Sequence, residues 1–213
     1  MNEKIKNGIT ELVFILDRSG SMSGLESDTV GGFNSMIEQQ KETDGEVYVS
    51  AVLFDDNTEV LYDRVRISDI RKMTRKDYFV RGCTALYDAI GGAVKHISNI
   101  HKYARKEDIP EHTMFVITTD GMENASRKYD QAGVKTLIER MKEKYGWEFI
   151  FIGANIDAVS VARDVGISEE RASNYKASKC GTRALFNAIN APISQMRARA
   201  EITNEWKDEL ENM

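Results

Sequence analysis

Uninterrupted apolar runs alternate along the chain with segments whose apolar residues recur every three or four positions. The run Leu12–Leu16 is apolar throughout, which is typical of a strand buried on both faces of a sheet. The spacing of Val30, Phe33 and Ile37 is typical of a helix that buries one face. The pattern predicts strands over residues 12–16, 47–54, 58–65, 113–118, 147–152 and 172–177. It predicts helices over residues 25–40, 84–103, 130–145, 158–164 and 182–210, the last one bent at Pro192.

Strands that alternate with helices predict parallel pairing, because a crossover helix returns the chain to the same edge of the sheet. The turn residues at 55–57 predict that the strands on either side of them pair as a hairpin. We therefore predict an α/β fold: a doubly wound, mostly parallel sheet of about six strands, with one antiparallel edge strand and helices on both faces. No linker-like stretch interrupts the alternation, so we expect residues 1–213 to form one domain with its core over about residues 10–200.

The composition is that of a soluble globular protein, with 41% hydrophobic and 30% charged residues. The apolar runs are too short to span a membrane. A net charge of −5 argues against a general nucleic-acid binder, which is usually basic. Two cysteines do not make a disulfide framework or a zinc cluster. Met1–Lys6 lacks the apolar stretch of a signal peptide, so we expect a cytoplasmic protein.

Oxygen-bearing side chains follow two of the predicted strands. Asp17, Ser19 and Ser21 follow the first strand at alternate positions, so a sharp turn can direct all three into one concavity. Asp120 follows the fourth strand. In an open parallel sheet, ligands bind at the carboxyl ends of the strands, and these ends would share one rim if the two strands are neighbours. Carboxylates and hydroxyls are hard donors that suit Mg²⁺ or Mn²⁺.

Three segments of the chain resemble the metal-ion-dependent adhesion site of von Willebrand factor A-type domains: Asp17-Arg18-Ser19-Gly20-Ser21, Gly82-Cys83-Thr84 and Thr119-Asp120-Gly121. The resemblance covers about residues 10–200 and is closest to small, free-standing bacterial members of that family. It implies that three hydroxyls contact a metal ion directly or through water, those of Ser19, Ser21 and Thr84. It also implies that two carboxylates lie close to the ion, those of Asp17 and Asp120. It also implies that an Asp or Glu of a partner protein completes the shell around the ion.

Each of these residues also has a purely structural interpretation. Ser19 and Ser21 can serve as turn residues, Thr84 as the N-cap of a helix, and Asp120 as a turn aspartate before glycine. Only their joint occurrence, in this order, favours a metal site.

Other candidates have weaker patterns. Cys83 is next to Thr84 and either lines the site or, as its type favours, is a buried structural thiol. Asn155 follows a strand and either contacts the rim of the site or, as is more usual, serves as a helix N-cap. Asp55 and Asp56 are interpreted as hairpin turn residues. Residues 64–81 hold seven basic and two acidic side chains, which form either a solvated loop or a surface that steers an acidic partner toward the ion.

Two functions fit these residues. The first is a Mg²⁺-dependent module, not an enzyme, that binds a protein partner through its Asp or Glu side chain. The second is a metal-dependent hydrolase that uses the same ion as a Lewis acid. A hydrolase needs a general base near the ion, and no candidate is evident in the sequence beyond Asp17 and Asp120.

Overall fold

The computed structural model describes residues 8–212, and a sheet lies at its centre. Within that range, six strands lie side by side in the order β3-β2-β1-β4-β5-β6. Their bounds are Thr10–Asp17 for β1, Val47–Phe54 for β2, Thr58–Arg66 for β3, His112–Thr119 for β4, Glu148–Gly153 for β5 and Ala172–Asn174 for β6. Every one of them coincides with a predicted strand, although β6 has 3 residues and is shorter than predicted.

The strands are parallel except at one edge of the sheet. β1 pairs in parallel with β2 and β4, and β5 pairs in parallel with β4 and β6. β2 and β3 are antiparallel and form the predicted hairpin. The predicted fold class is confirmed: the protein has a mostly parallel α/β sheet with one antiparallel edge strand. Because β1 and β4 are neighbours, their carboxyl ends lie at the same edge.

Helices cover both faces of the sheet. They are α1 Glu26–Lys41, α2 Leu86–Tyr103, α3 Gln131–Tyr145, α4 Ala158–Asp164, α5 Lys179–Arg197 and α6 Asp208–Glu211. In β1, Leu12, Phe14 and Leu16 belong to the core shared with α1 and α5, whereas Val13 and Ile15 belong to the core shared with α2 and α3. Successive side chains of a strand point to opposite faces, which is why a strand covered on both sides is apolar throughout.

The prediction of a single last helix over residues 182–210 is wrong in its extent. α5 contains Pro192 but ends at Arg197, and the short α6 follows only at Asp208. Between them Arg199 adopts a left-handed backbone conformation with φ 56°, which ends the helical path. This break lets the last part of the described chain fold back on the core through three buried side chains: Ile202, Trp206 and Leu210. The free energy gained by burying these side chains exceeds the free energy lost by ending the helix.

No helix in the described part of the chain is both long enough and apolar enough to cross a bilayer. Residues 1–7 and Met213 lie outside the described range. The Met1–Lys6 segment, on which the expectation of a cytoplasmic protein rests, is therefore outside that range, and the expectation stays a prediction.

α1 and α5 pack closely at Gly32. A methyl group in place of the Gly32 hydrogen would lie 2.4 Å from Cδ2 of Phe186, which is buried in α5. The Phe186 ring packs edge-on against Phe33, with 6.3 Å between the ring centroids. The neighbouring Gly31 is exposed, and a methyl group there would meet no atom within 4 Å. Two adjacent glycines of one helix therefore have opposite surroundings.

We expect Gly32→Ala and Gly31→Ala to change stability in opposite directions. Gly32→Ala forces Phe186 to move, and the overpacking costs more than the gain in helix propensity, for a net loss of about 0.5–2 kcal/mol. Gly31→Ala gains about 0.5–1 kcal/mol because alanine is the better helix former and meets no neighbour. Urea unfolding of both variants measures the two changes. Equal effects of the two substitutions would contradict this packing.

Candidate metal site

Two of the three predicted motif segments meet at the carboxyl edge of β1 and β4. We name them loop A (residues 17–23) and loop C (residues 119–130). Oδ2 of Asp17 accepts a hydrogen bond of 2.6 Å from Oγ1 of Thr119. Ser21 donates a hydrogen bond of 2.5 Å from its hydroxyl to Oδ1 of Asp120. The hydroxyls of Ser19 and Ser21 lie 3.0 Å apart. The strand order thus brings together two carboxylates that are far apart in sequence.

The third segment, loop B (residues 78–85), closes the site from the side of β2. The backbone of Gly20 in loop A donates a hydrogen bond of 3.2 Å to the backbone oxygen of Gly82 in loop B. A methyl group in place of the Gly121 hydrogen would lie 3.2 Å from both Ser21 Oγ and Thr84 Oγ1. Both hydroxyls therefore lie close to the same point on loop C, and all five predicted site residues belong to one cluster.

The two carboxylates of the cluster are almost inaccessible to solvent, with exposed fractions of 1% for Asp17 and 2% for Asp120. Burial raises the pKa of Asp17, and hydrogen bonds from Thr119 and Ser19 offset part of this rise. Burial also raises the pKa of Asp120, and the negative charge of Asp17 raises it further. Both shifts disfavour the ionised forms, so two negative charges in this place are costly without a cation.

One atom of the cluster is left without a partner. Oδ2 of Asp120 is buried and accepts no hydrogen bond from any residue between 8 and 212. An unpaired buried carboxylate oxygen costs free energy, and such atoms need an explanation such as an ion. The donor set around it consists of two carboxylates and three hydroxyls. Within the described range, no group of three or more His, Cys, Asp or Glu side chains could hold a metal. The residues therefore suit a hard cation that accepts hydroxyl ligands, and they do not suit a thiolate or imidazole site.

The interpretation of Thr84 as a helix N-cap is wrong. The N-cap of α2 is Ala85, which has no side-chain cap. The first turn of α2 is capped by loop C: the Glu123 carboxylate accepts a hydrogen bond of 2.9 Å from the backbone N–H of Tyr87. The Ser126 hydroxyl accepts a second hydrogen bond, of 3.0 Å, from the backbone N–H of Asp88. The Thr84 hydroxyl is therefore not needed by the helix.

Sequence reasoning missed the role of Asp55. Its backbone does form the predicted turn, with a hydrogen bond of 2.9 Å from its N–H to the oxygen of Asn57. Its Oδ2 also accepts hydrogen bonds of 2.8 Å from Nε of both Arg18 and Arg81. Arg18 of loop A is 0% exposed and Arg81 of loop B is half exposed, so the Asp55 carboxylate joins the two loops by binding both arginines. Burial alone would raise the pKa of Asp55, but the hydrogen bonds from Arg81, Asn57 and Arg18 hold it below its ordinary value.

A signal for Asp55 was present in the sequence. It follows β2 directly, as Asp17 ends β1, and the two strands pair in parallel with Asp17 opposite Phe54. A charged residue at the end of a strand beside β1 can reach loops A and B. An aspartate is also common in hairpin turns. The sequence alone therefore does not show that Asp55 contacts loops A and B, and the strand order is needed to see it.

Two other interpretations are corrected by the structure. Cys83 is exposed, and it is therefore not a buried structural thiol. Asn155 does not cap α4, because Asp157 is the N-cap and accepts a hydrogen bond of 3.0 Å from the N–H of Ser160. Asn155 instead adopts a left-handed conformation with φ 57° in the loop after β5.

The basic stretch of residues 64–81 is largely paired within the protein. Four of its seven basic side chains have an acidic partner: Arg64 pairs with Glu11, Arg66 with Glu46, Arg71 with Asp77, and Arg81 with Asp55, at distances of 2.7, 3.6, 2.7 and 2.8 Å. Three further basic side chains of the stretch are exposed: Lys72, Arg75 and Lys76. The charge available to steer a partner is therefore smaller than the sequence suggests.

Large apolar side chains are exposed on two of the loops that form the site. Phe79 in loop B is 42% exposed and Met122 in loop C is 71% exposed. A cavity of about 420 Å³ lies beside loop A and is lined by Gly20, Tyr78 and Phe79, among others. Phe79 also packs against two arginine side chains, with 5.3 Å from its ring centroid to Arg18 and 5.2 Å to Arg81.

Comparison with known proteins identifies similar structures but no sequence relatives. No protein-family model matches the chain, and no curated protein matches it in sequence. The D319A mutant of the PilB minor pilin from Streptococcus sanguinis superposes with a TM-score of 0.62 at 11% identity, over 93% of this chain and 63% of the pilin. The von Willebrand factor domain of the type V pili tip protein Mfa5 from Porphyromonas gingivalis gives a TM-score of 0.61 at 11% identity, over 92% and 98% of the two chains.

A third similar structure is proximal thread matrix protein 1 from the mussel byssus, in a form whose metal-ion-dependent adhesion site is occupied by zinc. It superposes with a TM-score of 0.58 at 13% identity, over 87% of this chain and 46% of the byssus protein. This chain thus spans less than two thirds of the pilin and about half of the byssus protein. The three likenesses show that the fold is that of von Willebrand factor A domains.

Proposed function

We propose that this protein is a non-enzymatic binding module that captures a protein partner through a divalent cation, Mg²⁺ or alternatively Mn²⁺. The observation that carries the proposal is Oδ2 of Asp120, a buried oxygen with no hydrogen-bond partner in the described chain. It lies in a cluster with a second buried carboxylate, Asp17, and with serine and threonine hydroxyls. A divalent cation would satisfy this oxygen and offset both negative charges.

The hydroxyls of Ser19, Ser21 and Thr84 would hold the ion directly or through water, with Asp17 and Asp120 supplying the negative charge. Thr119 and the backbone N–H of Ser19 already orient Asp17 through hydrogen bonds of 2.6 and 2.7 Å. When bound, the ion supplies a positive centre that attracts a carboxylate oxygen from outside. Hydroxyl ligands leave more positive charge on the ion than carboxylates would, which favours an external Asp or Glu.

The surroundings of the site support a protein partner. Phe79 and Met122 expose apolar surface on loops B and C, where residues next to the captured acid could pack. Structurally similar proteins include pilus components and a byssus matrix protein with zinc at its adhesion site. Their likeness agrees with a binding module, and the choice of Mg²⁺ and of an acidic partner rests on the donor chemistry of this chain.

Capture of the partner is expected to require both the ion and Thr84. In affinity purification with immobilised protein, partners retained in Mg²⁺ should be lost in EDTA, because the ion forms the bridge. They should also be lost with Thr84→Ala and with Asp17→Ala, each of which removes a side chain of the cluster. Circular dichroism spectra would verify that the variants remain folded.

The matched control is Thr136→Ala. Thr136 lies on α3, where its hydroxyl donates a hydrogen bond of 2.9 Å within the helix to the oxygen of Ala132. This variant should retain the same partners as the wild type in Mg²⁺. Retention of those partners in EDTA would contradict the bridging mechanism.

The hydrolase alternative predicts Mg²⁺-dependent turnover of substrates, whereas a binding module has none. Asp17 and Asp120 are the carboxylates of the cluster, and both are assigned to the ion, which leaves neither as a general base. We therefore expect no Mg²⁺-dependent turnover of generic phosphoester and ester substrates above the level of an EDTA-treated sample. Turnover that is abolished by Asp120→Ala would favour the hydrolase instead.

A further inference from the structure

Loop C holds the backbone of Thr84 at two points. Oδ1 of Asn124 accepts a hydrogen bond of 2.9 Å from the backbone N–H of Thr84. The backbone N–H of Asn124 donates a hydrogen bond of 3.0 Å to the backbone oxygen of Thr84. A residue held at both its N–H and its C=O has little freedom to rotate, so the direction of its side chain is restricted as well.

A side chain of loop C also accepts the hydrogen bond at the start of α2 that the Thr84 hydroxyl could otherwise accept. A threonine at the start of a helix normally accepts a hydrogen bond from the N–H two or three residues further on, and Tyr87 is three residues after Thr84. In this protein the Glu123 carboxylate accepts the hydrogen bond from Tyr87. Glu123 is itself held by the backbone N–H groups of Ala125 and Ser126, at 2.8 and 2.7 Å.

We propose that Glu123 and Asn124 are positioning residues for the Thr84 hydroxyl in the metal site. Asn124 fixes the backbone of Thr84, and Glu123 accepts the hydrogen bond of the Tyr87 N–H, so that the Thr84 hydroxyl stays beside Gly121 and is available to the ion. Without Glu123, the open N–H of Tyr87 competes with the ion for the same hydroxyl oxygen. This inference rests on the proposed function, because it assumes that an ion binds at the site.

The test measures Mn²⁺ affinity by electron paramagnetic resonance and metal-free thermal stability by calorimetry, for the same set of variants. Groups that orient a metal ligand typically contribute a factor of about 10–100 in affinity. We therefore expect Glu123→Ala and Asn124→Ala each to weaken Mn²⁺ binding about tenfold or more. Asn124→Asp keeps an oxygen that accepts from the N–H of Thr84, and it should bind Mn²⁺ at least as tightly as the wild type.

The matched control is Ser178→Ala, which removes the cap of α5, a hydrogen bond of 3.1 Å from the N–H of Gly181 to the Ser178 hydroxyl. This variant loses a helix cap whose hydrogen bonds lie within residues 176–182, so its melting temperature should fall while its Mn²⁺ affinity stays unchanged. If the role of Glu123 were purely structural, Glu123→Ala would likewise lower the melting temperature and leave the Mn²⁺ affinity unchanged.

The decisive measurement repeats both substitutions in a Thr84→Ala background. If Glu123 and Asn124 act through Thr84, neither should weaken Mn²⁺ binding further there, while their effects on metal-free stability persist. Unchanged affinity in the single variants, or an undiminished loss in the Thr84→Ala background, would overturn the inference and leave the metal site intact. Should Glu123→Ala not fold, the pair Asn124→Ala and Asn124→Asp decides the question. Absence of Mn²⁺ binding to the wild type would refute both the proposed function and this inference.

Discussion

Asp55→Ala is expected to lower the free energy of unfolding by about 2–4 kcal/mol, because it removes the buried partner of a buried charge. Arg18 is 0% exposed, and its Nε donates to Asp55 at 2.8 Å. Without Asp55, the guanidinium keeps only Glu59 as an acidic partner, at 2.8 Å, and that side chain is half exposed and therefore compensates the charge less well. In a chain of this size the loss corresponds to a fall in melting temperature of about 4–16 °C.

Two controls separate this effect from the loss of an ordinary ion pair. Asp108→Ala removes one acidic partner of Arg105 in an exposed pair, where solvent screens the attraction, so its cost should be small. Arg81→Ala breaks the half-exposed side of the Asp55 pair but leaves Arg18 neutralised, so its cost should also be small. Calorimetry of the three variants gives the comparison. Equal losses for Asp55→Ala and Asp108→Ala would show that Arg18 does not depend on Asp55.

Magnesium is expected to stabilise the folded protein. The three loops of the site are far apart in sequence, so the unfolded chain has no site and the ion binds only the folded state. For an assumed dissociation constant of about 0.1–1 mM, about 10 mM Mg²⁺ adds roughly 1.4–2.7 kcal/mol. This corresponds to a rise in melting temperature of about 3–10 °C.

Asp120→Asn should remove most of this rise, because it removes one of the two charges that hold the ion. In EDTA, the variant should be at least as stable as the wild type, because the repulsion between the carboxylates of Asp17 and Asp120 is gone. Thermal melts of both proteins, with EDTA and with Mg²⁺, test the two statements. A full Mg²⁺ shift in the variant would mean that Asp120 does not contact the ion. A variant much less stable in EDTA would mean that Asp120 mainly holds its own loop.

Features that depend on neighbours along the chain could be predicted from the sequence. Val47–Phe54 is predicted and observed as a strand, and Ala158–Asp164 is predicted and observed as a helix. The sequence left open whether the first and fourth strands are neighbours, and the structure shows that β1 and β4 pair in parallel. The candidate site residues were found because three short segments of the chain resemble one known motif and two of them follow predicted strands.

Features that depend on contacts between distant segments could not be predicted. The helical pattern of residues 182–210 continues past Arg197, yet the chain breaks there because Ile202 and Trp206 gain more by packing on the core. Cys83 was expected to be buried, but it lies on the exposed side of loop B. In both cases the local sequence is compatible with either outcome, and burial against the rest of the molecule selects one of them.

The sequence by itself determined most of the elements, the fold class and the candidate metal-site residues, since hydrophobic periodicity and short motifs are properties of short segments. Only the tertiary structure decided that Glu123 caps α2 in place of Thr84 and that Asp55 pairs with the buried Arg18. Aspartate in a turn and threonine before a helix each have two uses. Which use applies depends on the partner that the fold brings within hydrogen-bond distance, and that partner lies tens of residues away in the chain.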